Sequence, residues 1–364
     1  MKWHDFITNA IASLICLVIW KLSLRSLYRH IPNISGEETY FPKRLIHDDN
    51  ALNRFRLNIS ESIYKKLIKE SDHFSPLEIR IIASNRRQNY LIQVIAFLVS
   101  AYQSNNRFSP NLELCNVESE IFDELKKFQL HIPIRMLGMR NSPHNLSLNE
   151  TIMKEALDYW NCLNRTTKAR YVLLLEDDAL VVPKFASMMT SVMKQMDQRQ
   201  EIDYLKMYHP SHLRKIPSLP MTIIISLTIC YIYQMIIHRR VSIFWFVVTS
   251  VLIYYELSSY GFQFLADLRY YITNTVYMSV TESCCTPAVL FRARKIPQIV
   301  DRLSIETIKS ASDGRAKDHI LDESSFIGRQ TDTNLVVHIG SMSSIRHRRI
   351  KLDEVLFVEN RQNN

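Results

Sequence analysis

A chain of 364 residues is long enough for one large domain or two small ones, and its 47% apolar content is that of a folded protein. Its 6 glycines form no GxGxxG or GxxxxGK[ST] pattern, which excludes a glycine-cradled dinucleotide site and a P-loop. A net charge of +9 calls for an anionic partner such as lipid headgroups or phosphates; without repeats, zinc spacing or an RNA-binding signature, nucleic acid ranks last.

Phe6 to Leu24 is the first apolar block, interrupted by Lys21. It is either a cleaved signal peptide or an uncleaved anchor. No small-x-small cleavage site follows, and Arg25 and Arg29 come directly after it, adding to Lys21 near its end, so residues 1–27 are expected to be a transmembrane anchor. Residues 28–70 are polar and mixed, with Pro32, Gly36 and Pro42, and read as a stem.

Strands and helices alternate over residues 71–217. Residues 77–84 (LEIRIIAS) make a first strand, and the apolar spacing of Leu91, Ile92, Ile95, Leu98 and Val99 predicts a helix after it. Residues 111–117 read as a strand, 118–128 as a helix and 131–136 as a strand. A long amphipathic helix over 148–163 opens with Ser147 as N-cap and Glu150 at the capping-box position. Tyr171 to Leu175 is a run of apolar residues, the mark of a strand buried on both faces. Glu176, Asp177 and Asp178 follow it. Pro183 opens a helix to about 196, and 203–208 is a strand. This alternation defines an α/β class with a mostly parallel sheet.

Two apolar blocks, 219–237 and 241–262, are separated only by His238, Arg239 and Arg240. Each approaches the ~20 residues of a spanning helix. They read as a transmembrane hairpin over residues 218–264, with its basic tip cytosolic by the positive-inside rule and both flanks lumenal. The basic residues after the first block argue for the opposite sidedness. The N-x-[ST] sequons at Asn33, Asn58, Asn145, Asn149 and Asn164 all lie between the first and second blocks and favour a lumenal flank. Residues 265–364 have strand-like stretches at 276–280, 288–291 and 335–338 and a helix at 297–303. They carry no complete βαβ set and are expected to finish the same sheet. Cys115, Cys162, Cys284 and Cys285 lie outside the apolar blocks and allow three pairings; Cys115 with Cys162 is the expected one.

Ligands of an open α/β sheet sit at the carboxyl ends of its strands. Three carboxylates there repel one another unless a cation joins them, and hard oxygen ligands suit Mg or Mn. The plainer alternative is a solvated turn.

The βαβ start, the hydrophobic strand ending in EDD and the later His338 in Val336-Val337-His338-Ile339-Gly340 resemble GT-A glycosyltransferases. The split of that domain by a basic-tipped hairpin, after an anchor, resembles the Golgi post-GPI-attachment factor family, which adds N-acetylgalactosamine to the GPI glycan. The resemblance implies a multi-pass Golgi membrane protein with its catalytic domain in the lumen, a UDP-GalNAc donor, a divalent metal (manganese first), GPI-anchored proteins as acceptors and lipid as a further partner. It implies Asp178 and His338 as metal ligands, Asp177 toward ribose or metal-bound water and Glu176 toward the nucleoside. Ala83, Ser84, Asn85 and Arg87, at the end of the first strand, would meet the uridine, although Arg86 and Arg87 read equally as solvated residues. The β-linked product from an α-linked donor needs one general base. Asp318 matches the family position, with Glu323 and Glu282 as rivals and a helix-dipole role as the plainer reading. Arg346, His347, Arg348 and Arg349 suit either a diphosphate or acidic lipid. The competing functions are a UDP-N-acetylglucosamine transferase on N-glycans and a non-catalytic three-pass protein with a lumenal binding domain.

Overall fold

The computed structural model describes residues 48–64, 75–103, 110–138, 146–210, 219–237, 243–259, 262–282 and 285–340, with scattered positions between 7 and 45. The chain divides into two compact units: Asn33–Pro210 with Thr275–Arg361, and Met1–Pro32 with Ser211–Asn274 and Gln362–Asn364.

The larger unit opens with α1 (Asp49–Tyr64), inside the segment read as a stem. Its inward face is Leu52, Arg56 and Ser60, spaced four apart but only one of them apolar. Then come β1 (Leu77–Ala83), α2 (Tyr90–Gln103) and β2 (Asn111–Asn116). α2 is buried along nearly its whole length, from Tyr90 to Leu98. A helix apolar all round needs cover on every side, and α1 with the residue Tyr40 before it supplies part of it: Arg56 Nε donates to Gln93 Oε1 at 3.0 Å, and Tyr40 packs edge-on to Phe97. Residues 118–128, expected as one helix, form only the short α3 (Asp123–Lys126), because residues 117–122 turn instead.

After β3 (Ile134–Met136) comes α4 (Leu148–Leu163). Ser147 and Glu150 close its first turn as a reciprocal capping box. Its far end is held by Arg80 of β1, a fully buried guanidinium that pairs with Glu78 at 2.6 Å and donates to the carbonyls of Cys162 and Arg165. The predicted Cys115–Cys162 disulfide is present and ties β2 to the last turn of α4. Cys285 is also disulfide-bonded, to a partner outside the described residues.

β4 (Tyr171–Glu176) is the central strand, with every residue from Tyr171 to Leu175 fully buried. A short β5 (Ala179–Val181), not anticipated, follows the acids directly. Next come α5 (Phe185–Gln198) and β6 (Tyr204–Lys206). After the smaller unit the chain returns as β7 (Met278–Val280), β8 (Ala288–Arg292), α9 (Ile296–Lys309), α10 (Lys317–Asp322), β9 (Gly328–Thr331) and β10 (Val336–His338); their helices are numbered after those of the smaller unit's α6 to α8, given below.

The large sheet has eight strands in the order β3-β2-β1-β4-β8-β6-β9-β7. From β3 to β4 every pairing is parallel; β8 then runs antiparallel between β4 and β6, and β9 is parallel to β6. The returning segment thus completes the sheet that the first segment starts. β4 and β6 end on the same edge because both oppose β8. Val172 and Leu174 of β4 pack with Tyr159, Trp160, Ile299 and Leu303 from α4 and α9. Trp160 Nε1, inside that core, is satisfied by Thr307 Oγ1 at 3.0 Å. A separate two-stranded sheet pairs β10 with β5, aligning His338 with Ala179.

The smaller unit contains α6 (Leu219–Ile237), α7 (Ile243–Ser259) and α8 (Phe262–Thr273). The first two match the two apolar blocks, and they pack through Cys230, Ile253 and Leu257. Their other sides expose Ile224, Ile232, Ile243, Phe244 and Tyr255. Among the described residues no helix is long and apolar enough to cross a membrane. Most of the expected N-terminal anchor, the 238–240 tip, the sequons at Asn33 and Asn145, and Arg346 to Arg349 lie outside the described residues.

Candidate active site

The site is built where β4 ends. Glu176 is the last residue of the strand; Asp177 and Asp178 form the turn into β5. β10 runs back along β5, and Ile339 N–H donates to the Asp178 carbonyl at 2.8 Å. That pairing brings His338 Nε2 to 3.3 Å from Asp178 Oδ2. Glu176, Asp178 and His338 offer ligand atoms all within 4.8 Å of one another.

Gly340 completes the turn. A Cβ there would lie 2.9 Å from Asp178 Cγ and 3.3 Å from His338 Cε1, closer still to Oδ2. Only a residue without a side chain lets the backbone pass this close to both groups.

Two cations share the acids. Arg86, in the loop after β1, pairs its Nε with Asp177 Oδ1 at 2.9 Å and its Nη1 with Asp178 Oδ2. Lys317, the first residue of α10, pairs with Glu176 at 3.1 Å and with Glu155, over the face of Tyr159. Ser84 donates both its N–H (2.8 Å) and its hydroxyl (3.0 Å) to Asp177 Oδ2. Burial pushes the Asp177 carboxyl up to about 6, against the pull of Arg86. Burial raises Glu176 as well, although Lys317 opposes it. For Asp178 burial alone would raise the value, but Arg86, His338 and Lys317 together hold it below the ordinary carboxylate range. Of the three acids, Asp178 is therefore the one kept ionised most firmly, as a metal ligand must be.

The residues fit a divalent cation. Asp178 Oδ1 is buried and has no hydrogen-bond partner among the described residues, a cost that a bound ion would remove. The carboxylate–imidazole donor set suits Mn as well as Zn, and the oxygen-rich surroundings favour Mn or Mg.

The other expected site residues fall as follows. Ala83 is buried at the end of β1, and its carbonyl accepts Val117 N–H. Asn85 is exposed and donates its N–H to Glu118. Arg87 is exposed at a left-handed φ of 55°, and the guanidinium that reaches the acids belongs to Arg86 instead. Asp318 sits in the first turn of α10 with Oδ2 accepting Cys285 N–H at 3.3 Å; Pro287, two residues on, accepts Glu176 N–H at 2.8 Å, which joins that loop to the acid edge. Glu282 pairs with His209 Nε2 at 3.2 Å, and Glu323 pairs with Arg315 near the surface. Arg86 and Lys317 were not singled out from sequence, because adjacent arginines and a lone lysine read as solvated surface. A cavity at the opposite edge of the sheet is lined by Arg165, Arg170, Arg292 and Arg294. Their groups are already taken by Glu113, Asp197, Gln200 and backbone carbonyls, so we place the chemistry at the acids.

A mostly parallel sheet presents an acid triplet and an imidazole at its carboxyl edge, where such sheets bind their ligands, and the chain is a glycosyltransferase. A family model described as GPI-N-acetylgalactosamine transferase PGAP4 matches residues 77–338, and the chain belongs to that family. That match runs from the first residue of β1 to His338. No curated protein matches the chain.

Proposed function

We propose that the chain transfers N-acetylgalactosamine from UDP-GalNAc to a mannose of the GPI-anchor glycan, with inversion and with a divalent cation, in the Golgi lumen. The observation that carries the reading is the convergence of Asp178, His338 and Glu176 from two distant segments, with the buried Asp178 Oδ1 lacking a hydrogen-bond partner among the described residues.

Asp178 and His338 would hold the cation. Glu176 is engaged by Lys317 and is better suited to orienting the nucleotide than to binding the ion directly. A bound divalent ion supplies electrostatic stabilisation to the departing diphosphate. Asp177, fixed by Ser84 and Arg86, would stand on the ribose side of the site. Ala83 and Ser84 close the uridine end. Asp318 takes the proton from the acceptor hydroxyl as that oxygen bonds to the anomeric carbon and the bond to UDP breaks; one displacement inverts the centre. Asp318 is favoured over its rivals because Glu282 and Glu323 each have a cation partner, whereas Asp318 has none among the described residues.

The smaller unit is read as a membrane hairpin. α6 and α7 are at the short end of the ~17–25 residues that spanning helices use. The helices bury Cys230, Ile253 and Leu257 together with the hydroxyl residues Thr222, Ser226, Thr249 and Ser250, while their exposed side carries large apolar residues, with Ile243 at 80% and Tyr255 at 67% exposure, a surface that suits lipid rather than water. A second membrane attachment in the same chain would raise the catalytic domain's effective concentration toward a lipid-tethered acceptor.

The test is transfer from UDP-GalNAc to a GPI glycan by the full chain in detergent, alongside restoration of GPI N-acetylgalactosamine in cells that lack it. Asp178→Ala should abolish both. Equal behaviour of the two forms would end the catalytic reading.

A further inference from the structure

The carboxylates around the site outnumber its fixed cations. Glu155, Glu176, Asp177 and Asp178 all act on Arg86, and Lys317 is the other cation paired with them among the described residues. A divalent ion would add positive charge to this acid-rich set. Yet Asp178 Oδ2, the oxygen that faces His338 Nε2, is also the one that Arg86 Nη1 occupies. An ion placed between His338 and Asp178 would meet the Arg86 guanidinium already seated on Oδ2, with Oδ1, which has no hydrogen-bond partner among the described residues, as the adjoining ligand atom.

We propose that Arg86 is a displaceable counter-charge: it competes with the divalent cation for Asp178, and once released it binds the diphosphate of the donor. This rests on the reading of the site as a metal-assisted UDP-sugar site. Three features support it. Arg86 keeps a separate hold on Asp177 through Nε, so it loses one partner and not its place. Its side chain is 15% exposed, so one edge is accessible to a ligand. The loop that carries it holds a bulky residue in an uncommon conformation, Arg87 at a left-handed φ of 55°, and such positions cluster at ligand clamps and switch loops. The guanidinium fork matches phosphate oxygens in two-pronged fashion.

The consequence is a pair of opposite effects. Removing Arg86 frees Asp178 for the ion but deletes a diphosphate ligand. In full-length protein in detergent, Arg86→Gln and Arg86→Ala should bind Mn2+ alone roughly tenfold more tightly than the parent, read by electron paramagnetic resonance of free Mn2+. The same variants should bind UDP in saturating Mn2+ roughly tenfold more weakly, read by calorimetry. Arg86→Lys should fall between, because a point charge lacks the fork. If both affinities drop together, Arg86 only holds the fold and the inference fails; if Mn2+ affinity is unchanged, there is no competition and it fails as well. Should the parent protein bind neither Mn2+ nor UDP, the function proposed above has failed instead.

Discussion

Gly340 lies so close to Asp178 that any side chain at position 340 would run into the carboxylate. The glycine follows β10 and the acid sits in the turn between β4 and β5, so this contact couples the two segments that make the site. Gly340→Ala should push Asp178 away from His338. We expect at least a hundredfold loss of transfer, and a stability loss of about 1–3 kcal/mol typical of overpacking. Transfer assays with thermal melts check it; near-parental activity would mean the turn is not needed.

His338 and Asp178 should differ in severity. Asp178 is fully buried and is held by Arg86 and by the Ile339 turn, whereas His338 is 22% exposed at its side chain. His338→Ala should lower Mn2+ affinity about 10–100-fold while leaving activity recoverable at high Mn2+, as loss of one supporting ligand does. Asp178→Ala should not be rescued. A Mn2+ titration of transfer rate separates the two.

Glu124, on α3, caps the start of α2 by accepting Ile92 N–H at 2.8 Å. Burial pushes its carboxyl up to about 7, with the Ile92 bond opposing and Asp177 adding. The folded state therefore prefers the protonated form. Its contribution is fully present below the ordinary glutamate value and is lost as pH rises toward about 7, up to ~3 kcal/mol for the full shift. Glu124→Gln should remain more stable than the parent at pH 8 and match it at pH 4.5. Melts across that range that stay parallel would refute the assignment.

The Cys115–Cys162 bond closes a loop with a sequence separation of 47. The loop-closure relation puts its contribution at about 4 kcal/mol. The paired Cys115→Ala, Cys162→Ala variant should melt well below the parent, and the parent should approach it in reductant. Buried Arg80, which shares the same carbonyl cluster, should then become the main tie between β1 and the end of α4.

Much of this was readable in the chain. The apolar run before Glu176 declared the central strand, and Ser147 with Glu150 declared the start of α4, because both signals are local. α1 was hidden because the residues it buries include Arg56 and Ser60, which satisfy each other's surroundings only in three dimensions. β5 was hidden because three apolar residues after an acid turn carry no period, and its partner β10 is far along the chain. β9 reads Gly-Arg-Gln-Thr, with no apolar side chain to announce it. The acids of the site were legible as a massed charge; the groups that neutralise them were not, since only folding decides which lysine or arginine arrives.

The pairing of β10 with β5 also sets an order on biosynthesis. A ribosome adding ~5–20 residues per second delivers Asp178 roughly ten to thirty seconds before His338. Between the two come both apolar helices of the smaller unit. A nascent polypeptide can therefore begin its parallel sheet early, yet the acid turn lacks its imidazole partner until the returning segment has been made.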